Sequence, residues 1–189
     1  MKRLAIGVSN FKKIIEGNYY YFDKTSFVDE IIKDGAEVKL FTRPRRFGKT
    51  LNMSMLKYFF DVEKKEENRK LFKDLYIEKT ESFKEQGQYP VIFLSLKDLK
   101  ATTWEEMERK IIIILSDFFS EYEYLLNELT GISFENLKNI IYKKVSIDDL
   151  TTTLKFLTKI LYEKYNKKVV VLIDEYDSPL VSAYINGYY

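Results

Sequence analysis

Hydrophobic positions along this chain follow two registers. Short apolar runs bounded by proline or charge read as strands, and apolar residues spaced three and four apart read as helices. Residues 37–42 (EVKLFT) alternate and lead into a basic loop, and residues 91–96 form an apolar run behind Pro90. Residues 168–173 are almost wholly Val, Ile and Leu. These are the three expected strands. Helical spacing appears first at Phe11, Ile14 and Ile15, closed by Gly17, and again at Phe27, Val28, Ile31 and Ile32, closed by Gly35. After the basic loop, Leu51, Met55, Leu56, Phe59 and Phe60 share one helical face, and the charged residues 63–73 read as a solvated helix. Thr103 with Glu106 makes a capping box ahead of Met107, Ile111, Leu115, Phe118 and Tyr122. Ser133 is placed to cap a short helix carrying Leu137 and Ile141, and Ser146 with Asp149 to cap one carrying Leu150, Leu154, Leu157 and Leu161.

Strands that alternate with helices and read as continuous apolar runs imply an α/β architecture, a parallel sheet covered on both faces. No Pro/Gly/Ser-rich linker or internal repeat divides the 189 residues, so one domain is expected, with residues 1–36 as a helical and aromatic lead-in to a core of residues 37–189. Lys and Arg (31) nearly balance Asp and Glu (29), and the resulting +2 supplies no field that would demand nucleic acid or an anionic membrane. There is no cysteine and no histidine. That excludes disulfides, thiolate zinc sites, Ser-His-Asp hydrolysis and His-ligated metals, and narrows catalysis to carboxylates, Lys, Arg, Tyr, Ser/Thr or a hard cation such as Mg2+. No apolar run approaches the roughly 20 residues that span a bilayer, and no secretory signal is legible, so a cytoplasmic location is expected.

The chemistry concentrates in two loops. Residues 43–50 (RPRRFGKT) lie between an expected strand and an expected helix. A phosphate-binding loop needs inward-facing backbone N–H groups at a helix start, a lysine for the terminal phosphates and a hydroxyl for magnesium. Gly48, Lys49 and Thr50 supply these, while Arg45, Arg46 and Phe47 precede them and the arginines suit a polyphosphate. The usual spacing would put a first glycine where this chain has Arg43. The second loop ends the run VVVLIDEYD, where Asp174 is placed to approach magnesium beside Thr50 and Glu175 to polarise an attacking water. Each motif alone is weak; together they occur in the required order and on the required elements.

RPRRFGKT, with YFDKT at residues 21–25 and IDEYDSPL at residues 173–180, resembles the predicted AAA-ATPase-like family of bacteria, over essentially the whole chain. The resemblance implies a P-loop NTPase-like fold, ATP and Mg2+ as cofactors, and an arginine at position 43 as a family trait. It implies Lys49 and Thr50 as phosphate and magnesium residues, Asp174 as the magnesium acid and Glu175 as the catalytic base. It also implies a sheet incomplete at the C-terminus, since a further strand would lie between residues 37–42 and 168–173, and a continuation of the protein into a region resembling a PD-(D/E)xK nuclease.

Other features keep two readings open. Tyr19, Tyr20, Tyr21 and Phe22 suit either adenine stacking or core packing. Asp23, Lys24 and Thr25 suit either ligand contact or a helix cap. Asp177 suits either an arginine partner or the turn before Pro179. The leading function is an ATP-hydrolysing module that drives or gates an attached effector. The alternatives are a nucleotide switch without turnover, and an interaction or nucleic-acid-binding module that does not use nucleotide.

Overall fold

The computed structural model describes residues 3–42, 44 and 47–189. The helices are α1 (Phe11–Glu16), α2 (Ser26–Lys33), α3 (Lys49–Phe60), α4 (Lys65–Arg69), α5 (Trp104–Ser120), α6 (Gly131–Ile141), α7 (Ile147–Leu150), α8 (Thr153–Tyr165) and α9 (Ser178–Asn186). The strands β1 (Val91–Ser95) and β2 (Val170–Asp174) form a two-stranded parallel sheet flanked by helices, and Val170 N–H donates to Pro90 O at 3.0 Å where they begin. The α/β class read from the pattern is therefore present. No described helix is long and apolar enough to cross a membrane.

The chain packs as two compact units. The first runs through Phe93 and takes in Leu161–Asp174. Its core is the apolar face of α3, where Met55, Leu56, Phe59 and Phe60 meet Phe11 of α1, Val28 of α2, Leu71, Phe72, Ile77, Phe83 and Leu172 of β2. Phenylalanine sets its geometry: Phe11 stacks on Phe72 at 5.1 Å, and Phe59 meets Phe72 edge-on at 5.3 Å. Such pairings add about 0.5–1.5 kcal/mol each beyond the area they bury. Ser54 breaks the apolar face of α3 with a purpose, since its Oγ accepts the Phe11 N–H at 2.8 Å and donates to Leu51 O at 2.8 Å. This fastens α1 to α3.

The second unit comprises Leu94–Ile160 and Glu175–Tyr189. Here α5 packs on α6 and α7, and Leu99, Ala101 and Met107 form a small core. α9 grips the backbone of Ala101: Ser182 Oγ donates to its carbonyl at 3.0 Å and accepts its N–H at 2.9 Å, and Asn186 and Tyr188 donate to the same carbonyl at 3.1 Å.

Several local signals are realised, some with changes. Gly17 closes α1 as expected. Thr103 caps α5, but Glu106 reaches back to Thr102 N at 2.8 Å rather than to Thr103 itself. Ser146 and Asp149 form the full capping box, but of the short α7, which ends at Leu150; Leu154, Leu157 and Leu161 lie on the separate helix α8 rather than on one continuous helix. The charged stretch supplies only the short α4 and a 3-10 turn at Lys70–Phe72 that buries Leu71 and Phe72. Ser133 does not cap α6, which opens earlier at Gly131 with Thr130 in the extended capping conformation.

The largest departure is residues 37–42, which form no strand. Val38 and Leu40 are 88% and 66% exposed. An alternating pattern makes a strand only where a neighbour completes the backbone ladder, and no described segment pairs with this one. Instead Lys39 Nζ donates to the Asp34 and Ala36 carbonyls, both at 2.8 Å, and pairs with the Asp34 carboxylate at 3.0 Å.

Asp61 follows α3 at its C-terminal cap, where the helix dipole disfavours an anion. Burial pushes its carboxyl above the ordinary value of 3.8, with the Glu63 charge adding to the effect and the Glu63 N–H opposing it. Asn68 Nδ2 donates to it at 3.3 Å, while the buried Asn68 Oδ1 has no described donor. A raised folded-state value means that stability falls as pH rises from 3.8 through that value, so ionised Asp61 is a cost at neutral pH. Asp61→Asn removes the charge and offers an amide to Asn68. It is expected to raise the Tm at pH 7, with the gain shrinking as the pH falls towards 3.8. Thermal melts of both proteins across that range check this, and an equal or lower Tm for the variant at pH 7 would contradict it.

Candidate functional site

Gly48 holds the N-cap of α3 with φ 76 and ψ 19, in the left-handed region that glycine enters without penalty. As a glycine it has no side chain with which to cap the helix. A Cβ on Gly48 would meet nothing within 4 Å among the described residues. The first backbone N–H groups of a helix have no partner within it, and a start at glycine leaves them without a cap from that residue, which suits an anion. Lys49 and Thr50 occupy the first two helical positions, both half-buried, and among the described residues no carboxylate pairs with the Lys49 ammonium. Phe47 is 65% exposed. Arg45 and Arg46, expected beside the phosphates, lie outside the described residues, as does Arg43.

α3 packs against β2. Along β2, Leu172 and Asp174 are buried while Val171 and Ile173 face outward, so Asp174 shares the face on which Leu172 joins the α3 core. Asp174 is only 5% exposed, and its Oδ2 has no hydrogen-bond donor among the described residues. A buried carboxylate oxygen without a partner is costly, and such an atom calls for a donor or a cation. Magnesium is commonly held by one or two protein oxygens with the rest of its shell from water and phosphates. The hydroxyl of Thr50 and the orphan oxygen of Asp174 are of that kind. No group of three or more His, Cys, Asp or Glu able to hold a metal by themselves occurs among the described residues.

Glu175, the residue after β2, is half-buried and has φ 54. The left-handed conformation costs a residue with a Cβ about 1–2 kcal/mol. Its carbonyl accepts the Ser178 N–H at 3.0 Å, which turns the chain into α9. Asp177 stands at the N-cap of α9 without a side-chain capping bond, and Pro179 occupies the first turn. Of the aromatic run, Tyr21 is in the core, edge-on to Phe11 at 5.3 Å, and burial pushes its hydroxyl up to about 12. Tyr20 and Phe22 are 68% and 83% exposed.

A helix opening with Gly-Lys-Thr and packed on a parallel strand that ends in a buried acid defines an α/β protein with a candidate anion and cation site. The chain belongs to the predicted AAA-ATPase family, whose pattern it matches over residues 5–189. It is also 29% identical over 181 residues to an uncharacterized protein in the vnfD 5' region of Azotobacter chroococcum mcd 1, a match that covers 95% of this chain and 30% of that protein. The chain thus spans about a third of the length of this relative. No solved structure matches it.

If the conformation of Glu175 is strained, glycine there should relieve it. Glycine at an ordinary position costs about 0.5–1 kcal/mol, whereas Glu175→Gly is expected to hold or raise the Tm. A thermal melt decides, and a fall of the ordinary size would show that the left-handed turn carries no strain.

Proposed function

We propose that this chain is a nucleotide-binding module that takes ATP with magnesium, and that it hydrolyses ATP within a longer polypeptide whose remaining part it drives or gates. The carrying observation is the buried oxygen of Asp174, without a partner among the described residues, on the strand β2 against which the helix of Lys49 and Thr50 packs. Membership of the predicted AAA-ATPase family supports the same reading.

In this reading the N–H groups at the start of α3 receive the phosphates, Lys49 neutralises the terminal ones, and Arg45 and Arg46 add positive charge. Thr50 and Asp174 would hold magnesium, which when bound would offset charge on the phosphate oxygens. Glu175, next in the DEYD motif, orients a water and accepts its proton as the water oxygen bonds to the terminal phosphorus and the bond from that phosphorus to the bridging oxygen breaks, releasing ADP and phosphate. The strain at Glu175 fits such a role, because strained backbone is concentrated at functional positions. The coverage of only 30% of the relative supports an attached partner region.

A saturating ligand stabilises a protein by about 2.7 kcal/mol at 100 times its Kd, so wild type is expected to melt higher with Mg-ATP. Lys49→Ala should abolish that shift, and Asp174→Ala should remove its magnesium dependence. In the longer protein, Glu175→Gln should keep affinity and lose turnover, since an amide holds position but takes no proton. Calorimetry and phosphate release separate these outcomes. An undiminished ATP shift in Lys49→Ala would defeat the assignment, and binding without magnesium-dependent turnover in the longer wild-type protein would leave a nucleotide switch.

A further inference from the structure

The residues leading to the phosphate loop are not held by a sheet, which raises the question of what does hold them. Among their described contacts are ones to α2 and to the turn after it. Phe41 packs edge-on against Phe27 of α2 at 5.1 Å, and Lys39 closes the turn that follows the helix by its bonds to Asp34 and Ala36. The stem of the loop is therefore only as well placed as α2 itself.

α2 is pinned in an unusual manner. Thr25 is its N-cap and fully buried, yet its hydroxyl makes no capping bond to its own helix. The Oγ1 instead donates to Asp23 Oδ1 at 2.7 Å and accepts the N–H of Ile77, 52 residues away, at 3.1 Å. Asp23 completes a bracket: Oδ1 also accepts the Thr25 N–H at 2.8 Å, and Oδ2 accepts the Tyr76 N–H at 2.7 Å. Burial opposes the Asp23 charge, but these bonds from Thr25 and Tyr76 outweigh it and hold the carboxyl below its ordinary value. One turn further along, the buried Asp29 accepts from Ser82 Oγ at 2.5 Å and from Lys33 Nζ at 2.8 Å. Two anchors one turn apart fix both the position of α2 and its rotation about its axis, and the rotation sets where Phe27 presents its ring to Phe41.

We propose that Asp23 and Thr25 are positioning residues for the phosphate loop, acting through α2 and the Phe27–Phe41 contact on the backbone that leads to Gly48. The inference rests on the nucleotide-site reading above. It gives the YFDKT motif a task other than ligand contact or helix capping: its side chains spend their hydrogen bonds on a remote segment, and what they steady is the stem of the loop.

The test is calorimetric titration of the 189-residue chain with Mg-ATP. Thr25→Val removes the bond to Ile77, and Phe41→Ala, at a 40% exposed ring, breaks the link to the loop without opening the core. Misplacement of a binding group by a fraction of an ångström is enough to blunt a site, so each should weaken affinity by about tenfold. Thr25→Ser, which restores the hydroxyl, should bind within about twofold of wild type. Leu71→Ala, in the core but off this path, should lower the Tm at least as far and still bind within about twofold. Affinity unchanged in both Thr25→Val and Phe41→Ala would overturn the inference, as would an equal loss in Leu71→Ala. If Thr25→Val fails to fold, Phe41→Ala against Leu71→Ala still decides. Wild type that binds no Mg-ATP would overturn the nucleotide reading itself, and this inference with it.

Discussion

Helix α3 is the constraint on which the first unit depends. One stripe of it, Met55, Leu56, Phe59 and Phe60, is buried against aromatic rings from α1 and from the segment after α4, and against Leu172 of β2. Fully burying such side chains is worth about 1.5–3 kcal/mol each, which makes the helix hard to displace. Its N-terminus carries Gly48, Lys49 and Thr50, so the packing that stabilises the unit also decides where the proposed phosphate-binding groups stand. Chemistry and core share one rigid element, the arrangement that holds a site most closely.

β2 translates the same packing into electrostatics. Alternation along a strand puts Asp174 on the face already buried by Leu172. The carboxylate is thereby removed from water with one oxygen unsatisfied among the described residues, a burial that suits the cation proposed for it. Glu175 is forced into a left-handed turn immediately afterwards. Glycine or asparagine enters that conformation more readily than glutamate does.

The second departure from regular structure lies ahead of α3. Residues 37–42 have the composition of a strand but no strand partner among the described residues, and the ring contact of Phe41 ties them to α2. A loop stem held by a few side-chain contacts is more easily moved than one held in a sheet, because local opening free energy follows the number of buried contacts and protected hydrogen bonds. The two ends of the phosphate loop thus differ, with a core-bound helix on one side and a tethered extended segment on the other.

The sequence by itself determined the local elements and the candidate chemistry. The spacing of Met55, Leu56, Phe59 and Phe60 gave α3, the Val/Ile/Leu run gave β2, the Ser146–Asp149 pair gave a capping box, and Gly-Lys-Thr with Asp174 and Glu175 gave a phosphate-site reading. All of these rest on interactions within a few residues, which pattern and propensity encode. The strand at residues 37–42 was misread for the converse reason: alternation records which side chains are apolar, while a strand also requires a second backbone. Only the tertiary structure showed that Thr25, at a capping position, spends its hydroxyl on Ile77, that Ser54 fastens α1 to α3, and that Asp29 is held by Ser82. These bonds join residues 43 to 53 positions apart, and a hydroxyl or carboxylate in a sequence carries no mark of which distant donor the folded chain will bring to it.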